Sequence, residues 1–129
     1  RPGPRDPALR HARVCYNHLA GDMGVRLYES LRAQGHLALT DNGLGLTAAG
    51  RAHLLDLGLA PETLQAGRAP LCKECLDWSA RRAHLAGRLG RALFDHFAAH
   101  GWISRVPGSR IVQVHRKGEA GFEQVFPVG

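Results

Sequence analysis

His18-Leu19-Ala20-Gly21 recurs word for word as His84-Leu85-Ala86-Gly87, 66 residues further along the chain. The correspondence spreads outward from that seed at the same offset. Gly24 matches Gly90, Leu27 matches Leu93, Leu31 falls on Phe97, Gly35 on Gly101 and Leu37 on Ile103. After a shift of two residues it continues, with Leu44 and Leu46 on Val112 and Val114, Gly50 on Gly118 and Leu54 on Phe122. A four-letter identity alone can be chance, but this many matched positions in order mark an internal duplication.

Both copies read alike. In the first, Val25, Leu27, Tyr28 and Leu31 predict a helix over about 24–34, ended by a left-handed Gly35. Leu37-Ala38-Leu39 and Leu44-Gly45-Leu46 predict two strands about the turn Thr40-Asp41-Asn42-Gly43. Thr47 then N-caps a short helix over Ala48 to Asp56, closed by Gly58. In the second copy Leu89 to Ala99 is the helix, Trp102-Ile103-Ser104 and Ile111 to Val114 are the strands, and Glu119–Val125 the terminal helix. A further helix is expected ahead of each copy, over residues 8–20 and 75–86. The expected class is α+β: two tandem winged-helix-like half repeats (helix, β-hairpin wing, short helix) sharing one core. Residues 1–9 read as a linker arm, since RPGPRDP holds three prolines and no apolar pattern. Residues 10–69 form the first repeat and 70–129 the second.

Composition narrows the function. The chain has 129 residues, room for one compact domain or two very small ones; 44% are apolar and 22% charged, too hydrophobic for a disordered tail. No apolar run approaches the roughly 20 residues of a membrane-spanning helix, and no leader pattern points to export. Three cysteines make a poor disulfide scaffold, so the reducing cytosol is the expected compartment. The net charge is +6, and it is uneven. Residues 1–67 hold seven Lys/Arg against six Asp/Glu, whereas residues 68–129 hold ten against five. A first residue of arginine suggests a fragment or a processed chain.

Three stretches carry a resemblance: Arg13-Val14-Cys15-Tyr16-Asn17-His18-Leu19-Ala20-Gly21, Gly45-Leu46-Thr47-Ala48-Ala49-Gly50-Arg51, and Pro70-Leu71-Cys72-Lys73-Glu74-Cys75-Leu76-Asp77-Trp78-Ser79 running on to His84-Leu85-Ala86-Gly87. With them the chain, from Gly3 onward, resembles the carboxy-terminal region of a group of bacterial ArsR-type winged-helix transcriptional regulators. The resemblance implies the sensing or oligomerisation domain of a homodimeric DNA-binding regulator, with the DNA-reading winged helix lying upstream. A purely structural dimerisation module is the competing class. Only 14 residues separate Ala20 from Gly35, too few for a turn and an independent recognition helix, and Ala38 to Leu46 carries no Lys or Arg. DNA contact by the first copy is therefore not expected. In the second copy Arg105, Arg110, Arg116 and Lys117 surround the hairpin, as a wing lying along a phosphate backbone would require; a solvated surface is the plainer reading.

The thiols and imidazoles carry the chemistry. Cys15-x-x-His18 is expected on one helix face and Cys72-x-x-Cys75 around a turn. Together Cys15, His18, Cys72 and Cys75 form a Cys3His set suited to tetrahedral zinc, with His84 as an alternate for His18. As(III) and Cu(I) are other thiophilic candidates. Two alternatives stay open: three reduced packing cysteines, or a redox pair of Cys72 and Cys75. His18 and His84 also suit a structural role, an N–H tying a helix to a neighbouring carbonyl. Trp78 is expected to cover the inter-repeat core, and Tyr16, Tyr28, Phe94 and Phe97 to pack within it. No phosphate loop, nucleophile elbow or His-Glu-x-x-His helix occurs, so no enzyme is expected.

Overall fold

A computed structural model describes residues 5–128. After a short helix α1 (Pro7–His11), capped by the Asp6 carboxylate on Ala8 N–H at 2.9 Å, one six-element unit occurs twice. The first unit is hairpin β1 (Arg13–Cys15) and β2 (His18–Ala20), helix α2 (Gly21–Ala33), hairpin β3 (Leu37–Thr40) and β4 (Gly43–Leu46), and helix α3 (Ala48–Leu57). The second is β5 (Lys73–Asp77) and β6 (Arg82–Ala86), α4 (Gly87–Ala99), β7 (Ile103–Arg105) and β8 (Val112–Val114), and α5 (Arg116–Val125). A 3-10 turn over Pro61–Leu64 lies in the connector. The architecture is α+β, with helices packed among four separate two-stranded antiparallel sheets.

Most expected elements are present within two or three residues of their boundaries. Thr47 Oγ1 accepts from Gly50 N–H at 2.9 Å to cap α3, and Gly35 and Gly101 end α2 and α4 at φ +75° and +74°. The first turn differs slightly: Asp41 and Asn42 form the loop, and Gly43 opens β4 with φ +95°. The arm begins its structure earlier than expected, because Pro7, Ala8 and Leu9 already belong to α1. The first four residues of that arm lie outside the described residues.

Two expectations are corrected. The helices expected over 8–20 and 75–86 are the hairpins β1–β2 and β5–β6, with α1 covering only the start of the first stretch. The glycine of each His-Leu-Ala-Gly word explains it. Gly21 and Gly87 sit at φ +77° and +80°, so the chain switches there from extended strand into helix and no helix can run through. Tyr16 and Trp78 are the second correction. They sit in the loops of those hairpins and are 92% and 64% exposed, so neither packs in the core.

The core is shared. Leu19, Leu27, Leu31, Leu37 and Leu54 of the first unit and Leu85, Leu89, Leu93, Phe97, Ile103 and Phe122 of the second bury into one cluster. Tyr28 and Phe94 are also buried, as expected. The units are interleaved: α2 packs chiefly on β6 of the other unit, and α4 packs on β2. Gly24 and Gly90 allow the approach. A Cβ on Gly24 would lie 2.4 Å from Leu19 O and 3.4 Å from the His84 side chain. On Gly90 it would lie 2.7 Å from Leu85 O and 3.3 Å from the His18 side chain. Each helix thus lies against its own hairpin and against the histidine of the other unit.

Candidate metal centre

Cys15 and His18 face each other across the Tyr16-Asn17 turn as cross-strand partners. Cys75 and His84 are cross-strand partners in β5–β6, two residue pairs back from its turn. Residues directly opposite in an antiparallel pair project from the same face, so each hairpin presents one thiol beside one imidazole. Packing β2 beside β6 brings the two pairs together. The four donor atoms of Cys15, His18, Cys75 and His84 all lie within 4.8 Å of one another. The imidazoles are 5% and 1% exposed and the thiols half-buried.

The ring orientations are informative. His18 and His84 approach through their Nε2 atoms at 2.9 Å. Their Nδ1 atoms point away, His18 toward Asn17 Oδ1 at 3.4 Å and His84 toward Asp77 Oδ1 at 3.2 Å. The latter contact has ion-pair distance but lies too far off-axis for a well-formed hydrogen bond. If each Nδ1 carries its hydrogen toward that oxygen, two Nε2 lone pairs face each other, an arrangement that calls for a cation between them. A metal ion meets that need; without one, the neutral pair is satisfied by the tautomer in which one ring donates its Nε2–H to the other. An oxygen behind each ligating histidine is the usual outer support of a metal-bound imidazole.

Asp77 anchors the arrangement. Fully buried, its Oδ1 accepts from Gly21 N–H at 2.7 Å at the start of α2 and pairs with Arg13 Nη2 at 3.3 Å. Its Oδ2 accepts from Ser79 Oγ at 2.7 Å and Ala80 N–H at 3.0 Å, and Arg13 Nη1 donates to Ser79 Oγ at 3.1 Å. Burial alone would raise the carboxyl's pKa. The hydrogen bonds from Ala80, Ser79 and Gly21 and the charge of Arg13 outweigh it and hold the group ionised below its ordinary range.

Burial, followed by the neighbouring His84, lowers the pKa of His18 from 6.5 to about 4. Burial also lowers that of His84, against the pull of Asp77. Both rings are therefore neutral, ready to ligate, at pH 7. For His18 the unfolded chain binds the extra proton throughout the interval between the two pKa values, so stability falls as pH drops from about 6.5 to about 4. The loss is on the order of 3 kcal/mol. Urea unfolding of metal-free protein at pH 7 and pH 4.5 measures it, and a much flatter pH dependence in His18→Gln is the expected control.

Cys72 stands outside this group of donors. It is buried just before β5, and desolvation, partly opposed by Arg88, raises its thiol pKa to about 11. Cys72 sits at a bend ahead of β5, and it, Cys15 and Cys75 are all free thiols. Burial first, then the adjacent Cys15 thiol, raises the pKa of Cys75. His84 joins His18 in the cluster rather than replacing it, and neither histidine ties a helix to a carbonyl. Arg105, Arg110, Arg116 and Lys117 lie on the β7–β8 hairpin and the first turn of α5, all exposed and in no ion pair among the described residues.

No family description matches the chain, and no solved structure matches it. Among curated proteins it is 38% identical over 116 residues to one from Bacillus subtilis (strain 168), described as the uncharacterized HTH-type transcriptional regulator YdfF. The match takes in 90% of this chain and 51% of that protein, so the chain spans about half the length of the relative it matches.

Proposed function

We propose that the chain is the carboxy-terminal sensing and oligomerisation half of an ArsR-type transcriptional regulator, and that it senses a thiophilic metal ion, zinc first, at Cys15, His18, Cys75 and His84. One observation carries the metal reading: two hairpins from two sequence repeats each deliver one thiol and one imidazole to a single cluster. Two sulfur and two nitrogen ligands suit tetrahedral zinc, with Cu(I) and As(III) as competitors. The name of the Bacillus relative, and the half of its length that this chain spans, support the regulator reading. Each unit's helix, hairpin and short helix is read as the second half of a winged helix.

The metal would tie β1–β2 to β5–β6, setting the angle between the two units and hence the spacing of attached DNA-reading domains in a homodimer. Such coupling amounts to ~1–3 kcal/mol, a change of roughly 5- to 150-fold in operator affinity. Fluorescence anisotropy of the full-length regulator on its operator, with zinc and with chelator, measures that ratio. Equal affinities in the two conditions, with zinc confirmed bound, would remove the sensing role and leave the dimerisation module. Zinc near one per chain, lost in Cys75→Ser and kept in Cys72→Ser, is the expected stoichiometry.

A second observation favours an auxiliary DNA contact by the same half. Arg105, Arg110, Arg116 and Lys117 have no acidic partner among the described residues, and a phosphate backbone would supply one. In the intact regulator Arg110→Glu is expected to weaken binding to all sequences alike and to lower the slope of affinity against salt by about one.

A further inference from the structure

The same cluster holds a second chemistry, and this inference deepens the sensing reading above while resting on separate atoms. We propose that Cys15 and Cys75 are a dithiol–disulfide pair oxidised by hydroperoxides, so that metal binding and disulfide formation are mutually exclusive states of one site.

The geometry comes first. Both sulfurs belong to a group of donors lying within 4.8 Å of one another, so bond formation requires an approach of less than about 3 Å. Cys15 sits at the loop end of β1–β2 and Cys75 in the middle of β5, on separate hairpins that are not hydrogen-bonded into a common sheet. Such hairpins can close on each other without breaking a ladder. Access comes second. Both thiols are half-buried rather than sealed, and Cys75 lines a cleft of about 450 Å³ together with Tyr16, Lys73, Glu74, Arg88 and Arg91. The cleft is wide enough for a small hydroperoxide, and its three cations, Lys73, Arg88 and Arg91, outnumber the one carboxylate, Glu74, and so favour the negative charge that develops on the leaving oxygen.

The step balances. Cys75 gives up its proton, its sulfur attacks one peroxide oxygen, the O–O bond breaks, and the leaving oxygen takes a proton to depart as water or an alcohol. Cys75 becomes a sulfenic acid. The Cys15 sulfur then displaces its hydroxyl, which takes the Cys15 proton and leaves as a second water. Two electrons pass from the two sulfurs to the peroxide, and one S–S bond forms. Both thiolate ligands are consumed, leaving only His18 and His84 for a metal. Cys72, buried and outside the group, is a bystander.

The test begins with reduced, metal-free protein and hydrogen peroxide. Expected are the loss of two of the three titratable thiols under denaturing conditions, and a Cys15–Cys75 cross-linked peptide by mass spectrometry. In Cys15→Ser that cross-link is lost and Cys75 proceeds to sulfinic acid, whereas Cys72→Ser behaves as the parent. A cross-link through Cys72, a cross-link only between chains, or sulfinic acid at Cys75 without any cross-link in the parent would overturn the proposal. Zinc-loaded protein supplies the second arm, read with a chromogenic chelator. Zinc release in step with disulfide formation supports exclusivity, and a disulfide formed with zinc retained overturns it. Failure of zinc to bind in the first place defeats the metal reading alone, because the thiol arm is decided on metal-free protein.

Discussion

Asp77→Ala is expected to lose about 3–5 kcal/mol of stability, enough to leave much of a small domain unfolded at room temperature. The carboxylate is fully buried and receives Gly21 N–H, Ala80 N–H, Ser79 Oγ and Arg13, with His84 Nδ1 alongside. Truncation leaves the Arg13 guanidinium, only 5% exposed, as a buried cation whose remaining bonds are to Ser79 Oγ and Leu9 O. An uncompensated buried charge costs more than the pair gained, which is why breaking such a pair is worse than replacing both partners. The double variant Asp77→Ala with Arg13→Met should therefore be more stable than Asp77→Ala alone. Asp77→Asn, which keeps an acceptor in place, should fall between parent and alanine. Urea midpoints followed by circular dichroism decide it. An alanine variant within about 0.5 kcal/mol of the parent would show the network to be dispensable.

That network also shows where the sequence stopped being legible. The duplication, both long helices, the β3–β4 and β7–β8 hairpins and the short helices after them could all be read, because apolar spacing, Gly35, Thr47 and Gly101 are local signals. The hairpins β1–β2 and β5–β6 could not. Cys15-x-x-His18 suits a helix face and a two-residue hairpin equally, since both bring positions i and i+3 together. What decides between them is the left-handed Gly21 and the burial of Val14 and Leu19 against the other unit, a tertiary effect.

The grouping of thiols and imidazoles was hidden for a related reason. The offset of 66 links His18 to His84 but places Cys15 opposite Arg81, so Cys75 looked like half of a Cys-x-x-Cys pair. The correspondence is by strand register: Cys15 with His18 and Cys75 with His84, the β5–β6 hairpin being two residue pairs longer with a turn of four residues instead of two. Counting back from each His-Leu-Ala-Gly word to the nearest cysteine, and allowing for loop length, would have found it. Nothing local announces Asp77. Its partners Arg13 and Gly21 are 64 and 56 residues away, and an acidic residue beside Trp78 reads as loop surface until the fold is known.

Zinc affinity is expected to rise about a hundredfold for each pH unit between roughly 5.5 and 7.5, because binding must expel one proton from each of two thiols. The imidazoles contribute less to that slope than the thiols. Burial lowers the pKa of both rings, His18 to about 4, so that each favours the neutral, ligating form. Cys75, whose burial and neighbouring Cys15 raise its pKa, still carries its proton there. Competition against a chromophoric chelator gives the slope directly. Cys75→Ser should reduce it from two to one along with a large loss of affinity, whereas His18→Ala should weaken binding and leave the slope at two. Because the site is assembled only when both hairpins are folded, binding energy becomes folding energy: zinc at a thousand times its Kd adds about 4 kcal/mol. For a chain of this size that is a rise in Tm on the order of 15 °C. A slope near zero would place the metal on the histidines alone, and a slope of two that disappears in Cys72→Ser would move the centre to a different set of ligands.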